Sequence, residues 1–205
     1  MTARPARYQR SVFLNCPFDR SYSPLLQALA FTVYCCRLVP RCALELDDSA
    51  EFRLEKVFRI IGECRFGIHD ISRVGLDPGT SLPRFNMPLE LGIFLGSKRF
   101  GDAVQNSKQC LILDREPYRY RSSLSDVSGQ DIHAHHDDPR ILVAEVRSWL
   151  RAASGRPRLP GGEEIWTRYQ LFQRELPRIG RRMKILPEEM TFLDYATAVS
   201  RWFSR

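Results

Sequence analysis

The sequence predicts an α/β architecture: a parallel sheet with helices on both faces over residues 1–154, then a helical appendage over residues 155–205. Three observations carry this. Short apolar runs, each stopped by turn residues, alternate with longer segments of helical periodicity, as in a parallel sheet with crossover helices. The stretch Gly155-Arg156-Pro157-Arg158-Leu159-Pro160-Gly161-Gly162 reads as a linker. Beyond it the periodicity is only helical.

Ser11-Val12-Phe13-Leu14-Asn15 is the first strand and Cys16-Pro17-Phe18-Asp19 the loop after it. Ser23-Pro24 starts a helix, serine as cap and proline at the first helical position, reaching about Arg37. Its apolar face is Leu25, Leu26, Leu29, Ala30 and Val33. A second strand lies within residues 38–44, and Pro40 places it at an edge or a strand start. Ser49 is the expected cap of a second helix carrying Leu54, Val57, Phe58 and Ile61. Phe66-Gly67-Ile68-His69-Asp70 is the third strand. Asn86 is the expected cap of a third helix with Leu89, Ile93 and Phe94, ending near Gly96. Gln109-Cys110-Leu111-Ile112-Leu113-Asp114 is the fourth strand, and residues 139–153 form an amphipathic helix. Residues 118–133 show no clear pattern. Two more helices are expected, over 163–181 and from after Pro187 to Phe203. The βαβαβαβ order fits a flavodoxin-like sheet with right-handed crossovers.

The chain has 205 residues, 43% hydrophobic and 27% charged, which suits one globular domain with an appendage. No apolar run reaches the roughly 18 residues of a membrane helix. The nearest, residues 25–39, contains Gln27, Cys35, Cys36 and Arg37. No signal-peptide pattern is present, so a cytoplasmic protein with no membrane partner is expected. Six cysteines without a C-x-x-C pair are expected to be reduced thiols, and no metal site is expected. The formal net charge of +7 attracts anionic small molecules such as nucleotides and leaves nucleic acid open as a partner. Self-association is also open.

Asp70 and Glu90 are the first candidates for chemistry. The end of the third strand and the first turn of the next helix lie side by side at the carboxyl edge of a parallel sheet, where ligands of open α/β sheets bind. Two carboxylates there can hold a ribose and stabilise or trap the oxocarbenium-like state of glycosidic cleavage. Each also has a plain structural explanation, Asp70 as a strand-end cap and Glu90 as an acid favoured at a helix N-terminus. The loop Asn15-Cys16-Pro17-Phe18-Asp19 sits where nucleotide phosphates or bases dock. It has neither G-x-G-x-x-G nor a P-loop. Phe18 can stack on a base or belong to the core. Cys16 is a possible nucleophile with no histidine placed to activate it. Glu45, Asp47 and Asp48 are placed to hold ribose hydroxyls or to form a solvated turn. His133, His135 and His136 match no metal spacing and read as an exposed polar loop.

Val12-Phe13-Leu14-Asn15-Cys16-Pro17-Phe18 resembles the first strand and loop of nucleoside 2-deoxyribosyltransferases, and Leu89-Glu90-Leu91-Gly92 resembles their nucleophile-bearing helix start. Asp70 matches a further acid of that family. The superfamily is structurally close to TIR-like domains, and the opening through Asp19 also resembles uncharacterised bacterial TIR-like proteins. The resemblance covers residues 11–114. It departs in having Arg84-Phe85-Asn86 where an acid precedes the glutamate, Asn86 being a partial substitute, and Cys16 where glycine is usual. The resemblance implies cleavage of an N-glycosidic bond in a nucleotide, with NAD the leading substrate and no cofactor, and allows a role as a bacterial defence or toxin effector. Glu90 and Asp70 are then the catalytic pair, and Asn15, Cys16, Pro17, Phe18, Asp19, Asp47 and Asn86 frame the ligand. The competing expectations are a non-catalytic nucleotide sensor and a TIR-like protein-interaction module.

Overall fold

The computed structural model describes residues 6–45, 48–75, 82 and 84–204. Five parallel strands form one sheet in the order β2-β1-β3-β4-β5. They are β1 (Ser11–Asn15), β2 (Val39–Arg41), β3 (Phe66–Asp70), β4 (Gln109–Asp114) and β5 (Ile132–Ala134). The helices are α1 (Ser23–Cys35), α2 (Arg53–Gly62), α3 (Asn86–Phe100), α4 (Pro139–Ser154), α5 (Gly162–Met183) and α6 (Phe192–Phe203). This is the flavodoxin-like arrangement with a C-terminal helical addition.

The three central strands are continuous apolar runs because both faces of the sheet are covered. Val12, Leu14, Phe66, Ile68, Leu111 and Leu113 point to α1 and α4. Phe13 points the other way, into Val57, Ile60 and Ile61 of α2 and Phe94 of α3. Gly67 and His69 share the face of Phe13 by the period-two rule. The chain leaves β1 towards β2 on one side and towards β3 on the other, so the switch point lies between β1 and β3. Their register pairs Asn15 with His69 and sets Asn15 beside Asp70 at the carboxyl edge.

The helix signals are offset from their expected positions. The first helix stops at Cys35, because Arg37 takes a left-handed backbone, φ 58°, at the turn into β2. The second begins at Arg53 with Phe52 in the cap position, and Ser49 lies in the preceding turn. Its buried face is Val57, Ile60 and Ile61, and the expected core residues Leu54 and Phe58 are exposed. Asn86 is the first helical residue of α3 and not its cap. That helix runs past Gly96 to Phe100, since an isolated glycine is tolerated in a helix at modest cost.

The appendage shares the main core. Phe31 of α1, fully buried, lies 5.3–5.8 Å in ring-centroid distance from Tyr169, Phe172, Trp202 and Phe203. Tyr195 donates its hydroxyl to the Gln27 carbonyl at 2.9 Å, and Gln173 donates to the Gln27 side chain at 2.8 Å. Thr191 and Asp194 form a capping box that starts α6.

Two outcomes follow for stability. A chain shortened to end at Ser154 would expose Phe31 and its neighbours, and is expected to aggregate or lose its cooperative melting transition in calorimetry. A shortened chain that melts at the full-length temperature would show the helices to be dispensable. A Cβ on Gly67 would stand 2.6 Å from His69 Nε2 and 2.8 Å from the Phe94 ring. Gly67→Ala is therefore expected to cost about 1–3 kcal/mol by overpacking, measured by urea denaturation.

Candidate functional site

Asn15 closes the edge of β1. Its Nδ2 donates to the Met87 carbonyl at 2.8 Å and to His69 Nδ1 at 3.0 Å. One buried amide thus ties β1 to β3 and to the first turn of α3. Because His69 Nδ1 accepts, the ring proton is on Nε2, which has no acceptor and lies against the ring of Phe94, at 4.9 Å between centroids. Burial, with Lys108 adding, lowers the His69 pKa to about 3, so the imidazole is neutral.

Asp70 is wholly enclosed. Its Oδ2 accepts from the Tyr22 hydroxyl at 2.5 Å and its Oδ1 from the Ser72 N–H at 2.8 Å. His135 Nε2 stands 3.0 Å from Oδ2, within electrostatic reach though off the hydrogen-bond direction. The backbone N–H of Asp137 donates to His135 Nδ1 at 3.0 Å, which fixes the proton on Nε2, facing the carboxylate. Burial alone would raise the Asp70 pKa, but His135, Ser72 and Tyr22 outweigh it and hold the carboxylate below its ordinary range. The same contacts push the Tyr22 hydroxyl up, burial first and the Asp70 charge next.

Glu90 is the opposite case. It lies on the buried face of α3 with Met87, Leu91 and Phe94, a spacing that normally carries apolar side chains. Only 9% of the residue is exposed, and no described residue gives its carboxylate a hydrogen bond. Burial raises its pKa to about 7, against a small opposing effect of Arg53. An under-solvated carboxyl that titrates near neutrality is suited to proton transfer or to stabilising a cation.

Cys16 links the two acids. The thiol is buried and its pKa is well above normal, first through burial and then through the charges of Asp70, Cys42, Glu90 and Asp19. Both predicted carboxylates therefore act on one point at the end of β1, and Cys16 is a neutral thiol, not an activated nucleophile. Pro17 is buried beside it, and Phe18 is half-buried between the two core faces. Asp19 accepts from Ser21 Oγ at 2.6 Å and from the Tyr22 N–H at 3.0 Å, and pairs with Arg84 at 3.2 Å. It fixes the turn into α1 and keeps a low pKa because these bonds and nearby guanidinium groups outweigh burial. Asn86 is exposed at the start of α3. Asp47 lies outside the described residues.

Three residues of this edge have a part in it that the sequence did not indicate. Tyr22 sits inside an expected loop, and only the fold brings its hydroxyl to Asp70. His135 was expected in an exposed loop, yet it is fully buried, because β5 (Ile132–Ala134) carries it to the sheet edge. His133 and His136 do face outward, paired with Glu145 and Glu116. Asp114, ending β4, is enclosed; its Oδ1 accepts from the Arg115 N–H and from Arg119, and its Oδ2 has no partner. An acid ending an apolar run, as at Asp70, was the available signal. Among the described residues no group of His, Cys, Asp or Glu is placed to hold a metal ion, and no helix is long and apolar enough to cross a membrane.

No protein-family model, curated protein or solved structure matches the chain.

The burial of Glu90 has a measurable cost. Its folded pKa of about 7 exceeds the reference 4.5, so the folded state holds the proton more tightly. Stability from this group is complete below about pH 4.5 and is lost as pH rises through 7. Glu90→Gln has no charge to bury. Its stability relative to the parent is expected to grow between pH 5 and pH 8 by about 2–3 kcal/mol, at about 1.4 kcal/mol per pKa unit. Urea midpoints at the two pH values check this, and an unchanged difference would place Glu90 in solvent.

Proposed function

We propose that the chain is an N-glycosidase of the deoxyribosyltransferase-like and TIR-like kind, acting on a nucleotide, with NAD the first substrate to test. Glu90 carries the proposal: a nearly buried carboxyl with no hydrogen-bond partner among the described residues, its pKa raised to about 7, at the carboxyl edge of an α/β sheet beside the switch point. In its ionised form it would stabilise the oxocarbenium-like ribosyl centre, or attack it, as the base departs. The low-dielectric surroundings that raise its pKa also strengthen its attraction for a developing cation.

The remaining residues take supporting roles. Asn15 holds the first turn of α3 against β1 and so fixes the position of Glu90. Asp70 anchors Tyr22 and His135 beneath the same edge and so holds its framework in place. The loop from Cys16 to Asp19, with Asn86, frames the nucleotide. Six free thiols, five of them buried, suit the reducing cytoplasm where such nucleotides are abundant. A silent nucleotide sensor built on the same edge is the second reading, favoured by the complete enclosure of Asp70, which keeps that carboxylate from a reacting substrate.

The test is release of free base from NAD and from several nucleosides, followed by chromatography, for the parent and for Glu90→Gln. Turnover is expected to rise with pH through about 7 as Glu90 ionises. Glu90→Gln is expected to lower turnover by on the order of 10³ while calorimetric affinity changes far less. Full turnover in Glu90→Gln would remove Glu90 from the reaction. Binding without cleavage of any substrate would leave the sensor reading.

A further inference from the structure

The carboxyl-edge site leaves most of the net charge of +7 unexplained. Five arginines, Arg37, Arg147, Arg156, Arg158 and Arg168, lie near the opposite, amino edge of the sheet, where α1 ends, the α4–α5 linker passes and α6 finishes. A cavity of about 590 Å³ opens there, lined by Tyr34, Cys35, Arg37, Arg158, Leu159, Pro160, Arg168 and Phe203. Only one of its three guanidinium groups is neutralised within the described residues: Arg168 pairs with Glu164 at 2.6 Å. Arg37 and Arg158 make no ion pair with a described residue. Arg147 and Arg156 stand close enough to act electrostatically on Cys36 just behind the cavity.

Two features indicate a formed site and not a chance concentration of charge. The linker that carries Arg158 is held in place, since Arg147 donates to the Pro160 carbonyl at 2.7 Å and to the Leu159 carbonyl at 3.3 Å. Arg37 adopts a left-handed backbone, φ 58°, at a helix end where glycine would be unstrained. Lys184 takes the same conformation at the end of α5; at Arg37 it falls on a residue that lines the cavity. The other walls are the rings of Tyr34 and Phe203, one bearing a hydroxyl. Unpaired guanidinium groups beside aromatic rings are the chemistry that takes a phosphate attached to a flat heterocycle.

We propose that this cavity is a second binding site, for a nucleoside phosphate, with Arg37 and Arg158 on the phosphate groups and Tyr34 and Phe203 against the base. It is assembled by the appendage and α1 together, on the far side of the molecule from Glu90. It does not depend on the N-glycosidase reading and stands if that reading fails.

The probe is ADP, titrated into the full chain by calorimetry, with inorganic pyrophosphate and adenosine as part-ligands. The parent is expected to bind ADP at this site, and pyrophosphate and adenosine more weakly. Arg37→Gly and Arg158→Gln are each expected to weaken ADP at least tenfold, and Arg121→Gln, an exposed arginine outside both sites, to leave this affinity unchanged. Arg37→Gly relieves the left-handed backbone and is expected to melt no lower than the parent, so its lost binding cannot come from unfolding. Arg158→Gln, in an exposed linker, is an independent check. Parent-like ADP binding in both arginine variants, or none in the parent, overturns the site. Pyrophosphate binding as tightly as ADP overturns the base contact. An oligonucleotide binding tenfold tighter than ADP with the same arginine dependence overturns the small-molecule ligand in favour of a nucleic-acid backbone.

Discussion

The arrangement of the carboxyl edge depends on one buried charge, the Asp70 carboxylate. A lone carboxylate with no access to water is strongly disfavoured unless donors replace its hydration. Two donors, Tyr22 at the start of α1 and Ser72 just past β3, and the electrostatic contact of His135 just past β5 come from three separate parts of the chain. Satisfying Asp70 therefore draws the first helix, the central strand and the far edge of the sheet together. It also dictates smaller choices, such as the His135 tautomer, which the Asp137 N–H enforces from the other side of the ring.

Asn15 does a related task with no net charge. Its amide joins β1, β3 and α3 through two donated bonds, one of them to a histidine that burial keeps neutral. Glu90 is then presented on the core face of α3 with no hydrogen-bond partner among the described residues. Asp70 and Glu90 are thus acids of opposite temper, one saturated with donors and one deprived of them. Separation of this kind is how a single fold keeps one carboxyl ionised while the other titrates near neutrality.

Much of this was legible in the sequence. The runs ending in Asn15, Asp70 and Asp114 matched β1, β3 and β4 to the residue, because strands covered on both faces must be apolar throughout. Helix ends were less legible. Ser49 and Asn86 have the chemistry of caps, yet tertiary packing set the starts of α2 and α3 elsewhere. β5 escaped because three residues, all half-buried, are too few to carry a periodic signal. Tyr22 and His135 escaped for a different reason: their roles come from contacts with Asp70 across 48 and 65 positions of chain, which no local pattern encodes.

The two outer strands have a consequence for behaviour in concentrated solution. β2 and β5 are each only three residues long, and β2 carries Pro40, which has no N–H to offer. Neither margin of the sheet is a template on which a strand from another molecule can extend the ladder, a standard protection against edge-to-edge growth. Fibrils propagating from the native sheet are thereby disfavoured, and any regular assembly of this chain is left to contacts made through its helices.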